Sequence, residues 1–283
     1  MRFIPRVFCF CLVGVFILAY AQTCLSQKGF AGTYIQAAKK AFDEGRWSEA
    51  EHFYALAFKE VENINDVYIA YDLAVISLNG LGNSLMKQGR FSDAELVIRR
   101  AVQLIEEAKG ENDESFTIEL NNLGLVLETQ GKLKEAESVH RRTLAIRERT
   151  LSPNDPNIAA TLMNLGMVYF DQQKFIDAEA FFQRARQILV NVPVAQATAE
   201  GVLNLAQCDQ NIAAIYIQQG KKYDDAIQRL QRAIKVRETL QGMDHPDLVP
   251  PLEDYARALR ATGRVREAVL VESRAKRTKA KIS

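Results

Sequence analysis

Histidine, tryptophan, cysteine and proline are scarce in this chain: its 283 residues include three, one, four and seven of them. Chemistry built on metals or nucleophiles has little to work with. His52, His140 and His245 stand far apart, and two of the cysteines, Cys9 and Cys11, fall in an apolar N-terminal run. Beyond that run there is no Cys-x-x-Cys, and the chain has no His-Glu-x-x-His and no Gly-x-x-x-x-Gly-Lys-(Ser/Thr). An excess of one charge is also missing. Lys and Arg total 36 against 35 Asp and Glu, a balance that argues against nucleic acid or an anionic membrane as partner. Acidic pairs such as Asp224-Asp225 and Glu106-Glu107 read as solvated helix starts and faces. No catalytic residue, metal site or cofactor is expected, and the chain is not expected to be an enzyme.

What the chain has is a repeat. Leu81-Gly82, Leu123-Gly124 and Leu165-Gly166 recur every 42 residues, and so do Ala94, Ala136 and Ala178. Degenerate copies run through Ile212, Ala213, Tyr216, Gly220 and Ala226 and through Tyr255, Ala256, Leu259, Gly263 and Ala268; an opening copy holds Ala38, Ala41, Gly45, Trp47, Ala50 and Tyr54. A unit of two helical patterns cannot bury its apolar face alone, so successive units must stack. Small residues in the Gly82 column and the Ala50 column allow helix axes to approach to roughly 8–10 Å. Gly45, Gly89, Gly131, Gly220 and Gly263 end the first helix of each unit, with Gln173 standing in once. Ser48, Ser92 and Asp224 are the expected N-caps of second helices. Asn63-Ile64-Asn65-Asp66 should cap a long helix, and the enlarged segment 192–210 should lengthen another.

This pattern resembles the tetratricopeptide repeat, in the long form found in kinesin light chains and their bacterial relatives. Gln241-Gly242-Met243-Asp244-His245-Pro246-Asp247 and Ser152-Pro153-Asn154-Asp155-Pro156-Asn157 are similar to the Gly-x-x-His-Pro-Asp loop of that family. The resemblance implies an all-α fold, a right-handed superhelical solenoid of about six helix-turn-helix repeats. The expected organisation is a signal peptide at 1–21, a linker at 22–30 and a solenoid at 31–283, with repeats near 31–62, 66–109, 115–151, 157–190, 195–241 and 247–281. Cys24 and Cys208 then stand too many helices apart for a disulfide, which needs Cα atoms within about 7 Å.

In such a fold the first helices line the inner surface, where the resemblance implies a protein or extended peptide is held. Asn122, Asn164 and Asn211 precede the Leu-Gly pair or its Ile-Ala counterpart, and Asn79 and Asn121 stand one position earlier. A carboxamide both donates and accepts, which suits a peptide backbone and equally suits a bond between neighbouring helices. Both readings stand. Asn83, Lys87, Met163, Met167, Phe170, Gln210, Arg257 and Arg260 complete the candidate peptide-binding groove, as apolar anchors or cationic ends. The carboxylate clamp by which other tetratricopeptide proteins bind chaperone tails is not reproduced.

The N-terminus reads as an export signal. Arg2 and Arg6 precede an apolar run from Val7 to Ala19, and Ala19-Tyr20-Ala21 offers small residues to a signal peptidase. The run is short of the ~20 apolar residues of a membrane span, so membrane anchoring applies only if it is left uncleaved. The expected protein is an exported, periplasmic or secreted scaffold or adaptor of the cell envelope; a secreted factor binding a protein of another cell is the alternative, and an enzyme with an unrecognised site comes third. N-terminal mass spectrometry of the exported protein is expected to find Gln22 or a near neighbour first; a retained Met1 or a lipidated Cys24 would refute the cleaved signal.

Overall fold

The computed structural model describes residues 29–110, 116–193 and 196–281; the signal peptide and nearly all of the expected linker lie outside them. Among the described residues every long element is a helix. They are α1 (Gly29–Asp43), α2 (Trp47–Glu60), α3 (Val67–Lys87), α4 (Phe91–Lys109), α5 (Phe116–Thr129), α6 (Leu133–Thr150), α7 (Pro156–Asp171), α8 (Phe175–Val190), α9 (Ala199–Gln218), α10 (Tyr223–Gln241), α11 (Val249–Ala261) and α12 (Val265–Ala280). Odd-numbered helices are first helices of a repeat and even-numbered ones are second. The chain forms two compact units, one ending at Gly131 and the other beginning at Lys132. Within each, every helix packs on its neighbours in sequence, and successive first helices also touch: α1 with α3 and α3 with α5 in the first unit, α7 with α9 and α9 with α11 in the second.

Close approach is written in the small residues. Ala50, Ala94, Ala136, Ala178, Ala226 and Ala268 are all completely buried. A Cβ on Gly82 would lie 2.7 Å from Ile98, and one on Gly166 2.6 Å from the Phe182 ring. Gly80, one residue ahead of the Leu-Gly pair, does the same between repeats, since its missing side chain is where the Tyr54 ring of α2 sits. In the second unit Leu162, Leu165, Phe182, Ile212 and Leu230 build a continuous core. Cys208 and His140 are fully buried in that unit, and burial together with the neighbouring Asp209 pushes the Cys208 thiol up to about 12.

The reversal between the helices of a repeat is a two-residue device. Gly45 takes φ +74°, its N–H donates to the Phe42 carbonyl (3.0 Å), and the Arg46 N–H reaches back to the Ala41 carbonyl (2.8 Å). This pair of bonds is the Schellman closure, and it recurs at Gly89-Arg90, Gln173-Lys174 and Gly263-Arg264. The residue that closes the first helix also begins the second. Here the structure corrects the expected caps: Ser48, Ser92 and Asp224 lie inside their helices, and the N-cap positions belong to Arg46, Arg90 and Lys222, whose side chains make no capping bond. The turn already fixes the backbone, so no extra residue is inserted to carry a side-chain cap. A basic residue there opposes the helix dipole, and an acid three positions on offsets it, as in the Arg90–Asp93 (2.7 Å) and Arg264–Glu267 (2.6 Å) pairs.

The same basic residues tie one repeat to the next. Arg90 meets Glu51 of the preceding second helix at 2.7 Å, and Gln88 donates to the same carboxylate at 2.8 Å. In the second unit Glu137 accepts from Tyr169 Oη (2.6 Å), Gln172 (3.1 Å) and Arg141 (3.1 Å), while Lys174 lies over the Tyr169 ring at 5.1 Å. One repeat later Glu179 accepts from Tyr216 Oη (2.7 Å), with Lys222 3.7 Å away.

The long connections behave as their sequences suggest. Asp66 accepts from Tyr68 N–H (3.0 Å) and Ile69 N–H (3.1 Å), starting the 21-residue α3. Thr198 caps α9, which reaches 20 residues where α7 has 16. Asp155 accepts from Asn157 N–H at 2.8 Å, with Pro156 opening α7. Two buried arginines, at equivalent places near the ends of α6 and α10, anchor the chain that leads into the next repeat. Arg147 donates to the Asn157 carbonyl (2.8 Å) and Thr161 Oγ1 (2.7 Å), and Arg237 faces Asp247 at 3.6 Å.

The turns and the ties between repeats can each be tested by one substitution. Gln173 holds φ +61° where the other copies place glycine, so Gln173→Gly is expected to raise stability by about 1 kcal/mol, read as a higher denaturant midpoint. Glu137 is held well below the usual carboxylate range, at about 2, chiefly by the Tyr169 hydroxyl. Because its folded pKa is depressed, its contribution is present above the unfolded value near 4.3 and is lost as pH falls from there through about 2. Glu137→Gln is therefore expected to cost about 1–2 kcal/mol at neutral pH and to flatten the acid side of the stability profile, which pH-dependent melts will measure.

Candidate functional site

First helices present their polar side chains on one face, at positions three and four apart. On α3 of the first unit this face carries Ile76, Asn79 and Asn83, and on α5 it carries Ile118, Asn121 and Asn122. Asn122 Nδ2 donates to Asn79 Oδ1 at 2.9 Å, and Asn83 Nδ2 lies 3.5 Å from the same oxygen. The asparagines thus bridge two consecutive first helices, which is the structural role the sequence left open. Asn79, Asn83, Asn121 and Asn122 all remain half-buried at the surface. Beside them Ile76 and Ile118 are 41% and 58% exposed. These two isoleucines stand five residues ahead of Leu81 and Leu123, in one column of the repeat, and that register was the signal that could have revealed them. Lys87 is exposed, and its ammonium sits 5.9 Å from the centre of the Trp47 indole, near the turn.

In the second unit the candidates divide. Asn211 accepts from Gln207 Nε2 (2.8 Å), and its amide lies 3.5 Å from the Met167 sulfur, so α9 and α7 meet through a polar contact of the same kind. Met167 is exposed, while Met163 and Phe170 pack against the core, Phe170 edge-on to Phe175 at 5.5 Å. Asn164 is half-buried beside Met163. Gln210 does not belong to this face: it is only 8% exposed, and its carbonyl oxygen lies 3.4 Å from the buried Arg237. One residue separates it from Asn211, and 100° of helix rotation turns it inward. Arg257 bonds to Asp254, the residue that occupies the asparagine column in the last repeat. Arg260 makes two bonds to Glu272 of α12 (2.6 and 2.8 Å), so its charge is already engaged.

The buried charges of the second unit are structural. Asp209, itself 4% exposed, accepts from Arg229 (2.7 Å) and Arg186 (3.0 Å), on the helices either side of α9. Burial lowers the Arg237 pKa and raises that of Asp254. Among the described residues no group of three or more His, Cys, Asp or Glu is placed to hold a metal ion. What the first-helix faces offer is amide donors and acceptors beside exposed aliphatic side chains, a chemistry suited to a polypeptide.

A family model described as Tetratricopeptide repeat matches residues 114–189 and 202–278, and a second with that description matches 76–114. The chain belongs to the tetratricopeptide repeat family. Its repeats are of the kinesin-light-chain-like kind, and the fold is a scaffold typical of protein–protein interaction. Among solved structures the chain is similar to BtubC (BKLC) from P. vanneervenii, with 21% identity, 89% of this chain and 92% of that chain covered, and a TM-score of 0.64. A kinesin light chain of P. anserina with nearly identical TPR-like repeats shares 17% identity over 73% of this chain and 94% of that one, at a TM-score of 0.59. The apo form of RapI shares 14% identity over 90% and 84%, at 0.63. At these identities the likeness is one of fold. Comparison with curated proteins gave no match.

Proposed function

We propose that this protein is an exported scaffold or adaptor of the cell envelope, periplasmic or secreted, which holds an extended segment of a partner protein on its first-helix face. The observation that carries the reading is the surface of α3 and α5. There the paired carboxamides of Asn79 and Asn122 lie beside the exposed Ile76 and Ile118. Carboxamides can satisfy the backbone of an extended peptide while the isoleucines cover its apolar side chains. Export rests on the Arg2–Arg6 start, the apolar run and Ala19-Tyr20-Ala21.

The asparagines serve the fold as well as the ligand, so a test must separate the two. Replacing Asn122, Asn164 and Asn211 together by alanine is expected to lower both melting temperature and affinity, since Asn122 also links α5 to α3. Ile118→Lys changes an exposed side chain only. With a partner captured from the envelope or secreted fraction and then purified, Ile118→Lys is expected to keep the helicity and melting temperature of the parent and to weaken binding about tenfold, or ~1.4 kcal/mol. A folded Ile118→Lys protein that binds its partner with full affinity would remove this face from the site.

A further inference from the structure

The second helices carry a feature that the first-helix face leaves unexplained. Between α10 and α12, above α11, lies an open groove of about 430 Å³, a size within the range of sites that take a small ligand or a few residues of peptide. Its floor is apolar: Leu252 of α11 and Ile234 of α10 are buried, and Tyr255 is half-buried with its hydroxyl accepting from Gln231 at 2.8 Å. That bond fixes the ring. Leu270 of α12, also lining the groove, is 71% exposed, so a large aliphatic side chain stands in water beside an aromatic one.

The polar groups of the groove have one sign in excess. Arg274 is bound to Glu238 across the groove at 2.6 Å, which ties α12 to α10 and uses the groove's single carboxylate. Lys235 on α10 and Arg277 on α12 are exposed, and neither makes an ion pair among the described residues. A neutral segment would leave these cations unanswered and a basic one would be repelled. A carboxylate-bearing segment gains from both, and the low dielectric of the apolar floor strengthens that gain.

We propose that this groove docks a short acidic segment of a partner protein. One bulky apolar residue enters between Leu270 and Tyr255, and carboxylates on either side of it meet Lys235 and Arg277. The site is separate from the first-helix face, so the protein has two surfaces for two segments, and the scaffold reading acquires a second point of attachment.

Fluorescence anisotropy with a labelled peptide Glu-Asp-Leu-Trp-Glu-Asp, and with a version carrying lysine in place of each acid, tests this on the intact exported protein. The acidic peptide is expected to bind, with affinity falling as salt is raised, and the lysine version is expected not to bind. Lys235→Glu combined with Arg277→Glu is expected to weaken binding at least tenfold, and so is Leu270→Asp, both with unchanged circular dichroism because the altered side chains are exposed. Ile118→Lys is expected to leave this affinity as it was, so failure here and failure of the first-helix site are told apart. Equal affinity in all variants, loss on Ile118→Lys, or a dimer in sedimentation that buries Leu270 and is untouched by the acidic peptide would each overturn the proposal.

Discussion

Every repeat depends on one backbone event, the reversal of direction within two residues between its helices. A left-handed residue followed by one whose N–H closes the previous helix leaves the second helix no freedom in where it starts. Its packing partners are thereby chosen. The alanine column falls against the first helix at zero exposure, and the larger residues three and four positions on complete the contact. A longer linker would allow many arrangements of the pair; this one allows few, and it is repeated along the chain. Even where the sequence abandons glycine, at Gln173, the geometry is kept.

The basic residue in that turn shows how few side chains specify the stack. Its main chain ends one helix and opens another, while its side chain reaches the acid at the third helical position and, at Arg90, a carboxylate of the preceding repeat. Pairs this exposed contribute little one at a time. Their value lies in register, because a slip of one residue would break the internal and the external pair together. Buried groups supply the strength of the joint: Arg147 with Asn157 and Thr161, Asp209 between Arg186 and Arg229, and the Tyr216 hydroxyl on Glu179. Removing one partner from such a buried set strands the other.

Most of this was legible in the amino-acid order, since a period of 42 residues fixes which positions share a surface. Small columns told where helices touch, and Asp66 and Thr198 announced the starts of long helices. The failures have physical reasons. Ser48, Ser92 and Asp224 have the side chains of N-caps, but the turn supplies the necessary geometry from its backbone, so the helix begins earlier. Gln210 differs from its neighbour Asn211 by one step of rotation, enough to bury it against Arg237. Neither contact could be read without knowing the facing helix. The asparagines were correctly placed on the first-helix surface, yet the bond from Asn122 to Asn79 joins different columns of the repeat, a diagonal that alignment by column conceals.

Cys208 has a consequence for where such a scaffold can work. Its sulfur is sealed in the core, and the thiol is pushed to about 12. Near neutral pH almost none of it is thiolate, and thiolate is the form that attacks disulfides and binds soft metals. The native second unit is therefore indifferent to the redox poise of its surroundings at this residue. Only an opening of α9 would expose the sulfur to an oxidant, so its covalent state records the unfolding history of the molecule.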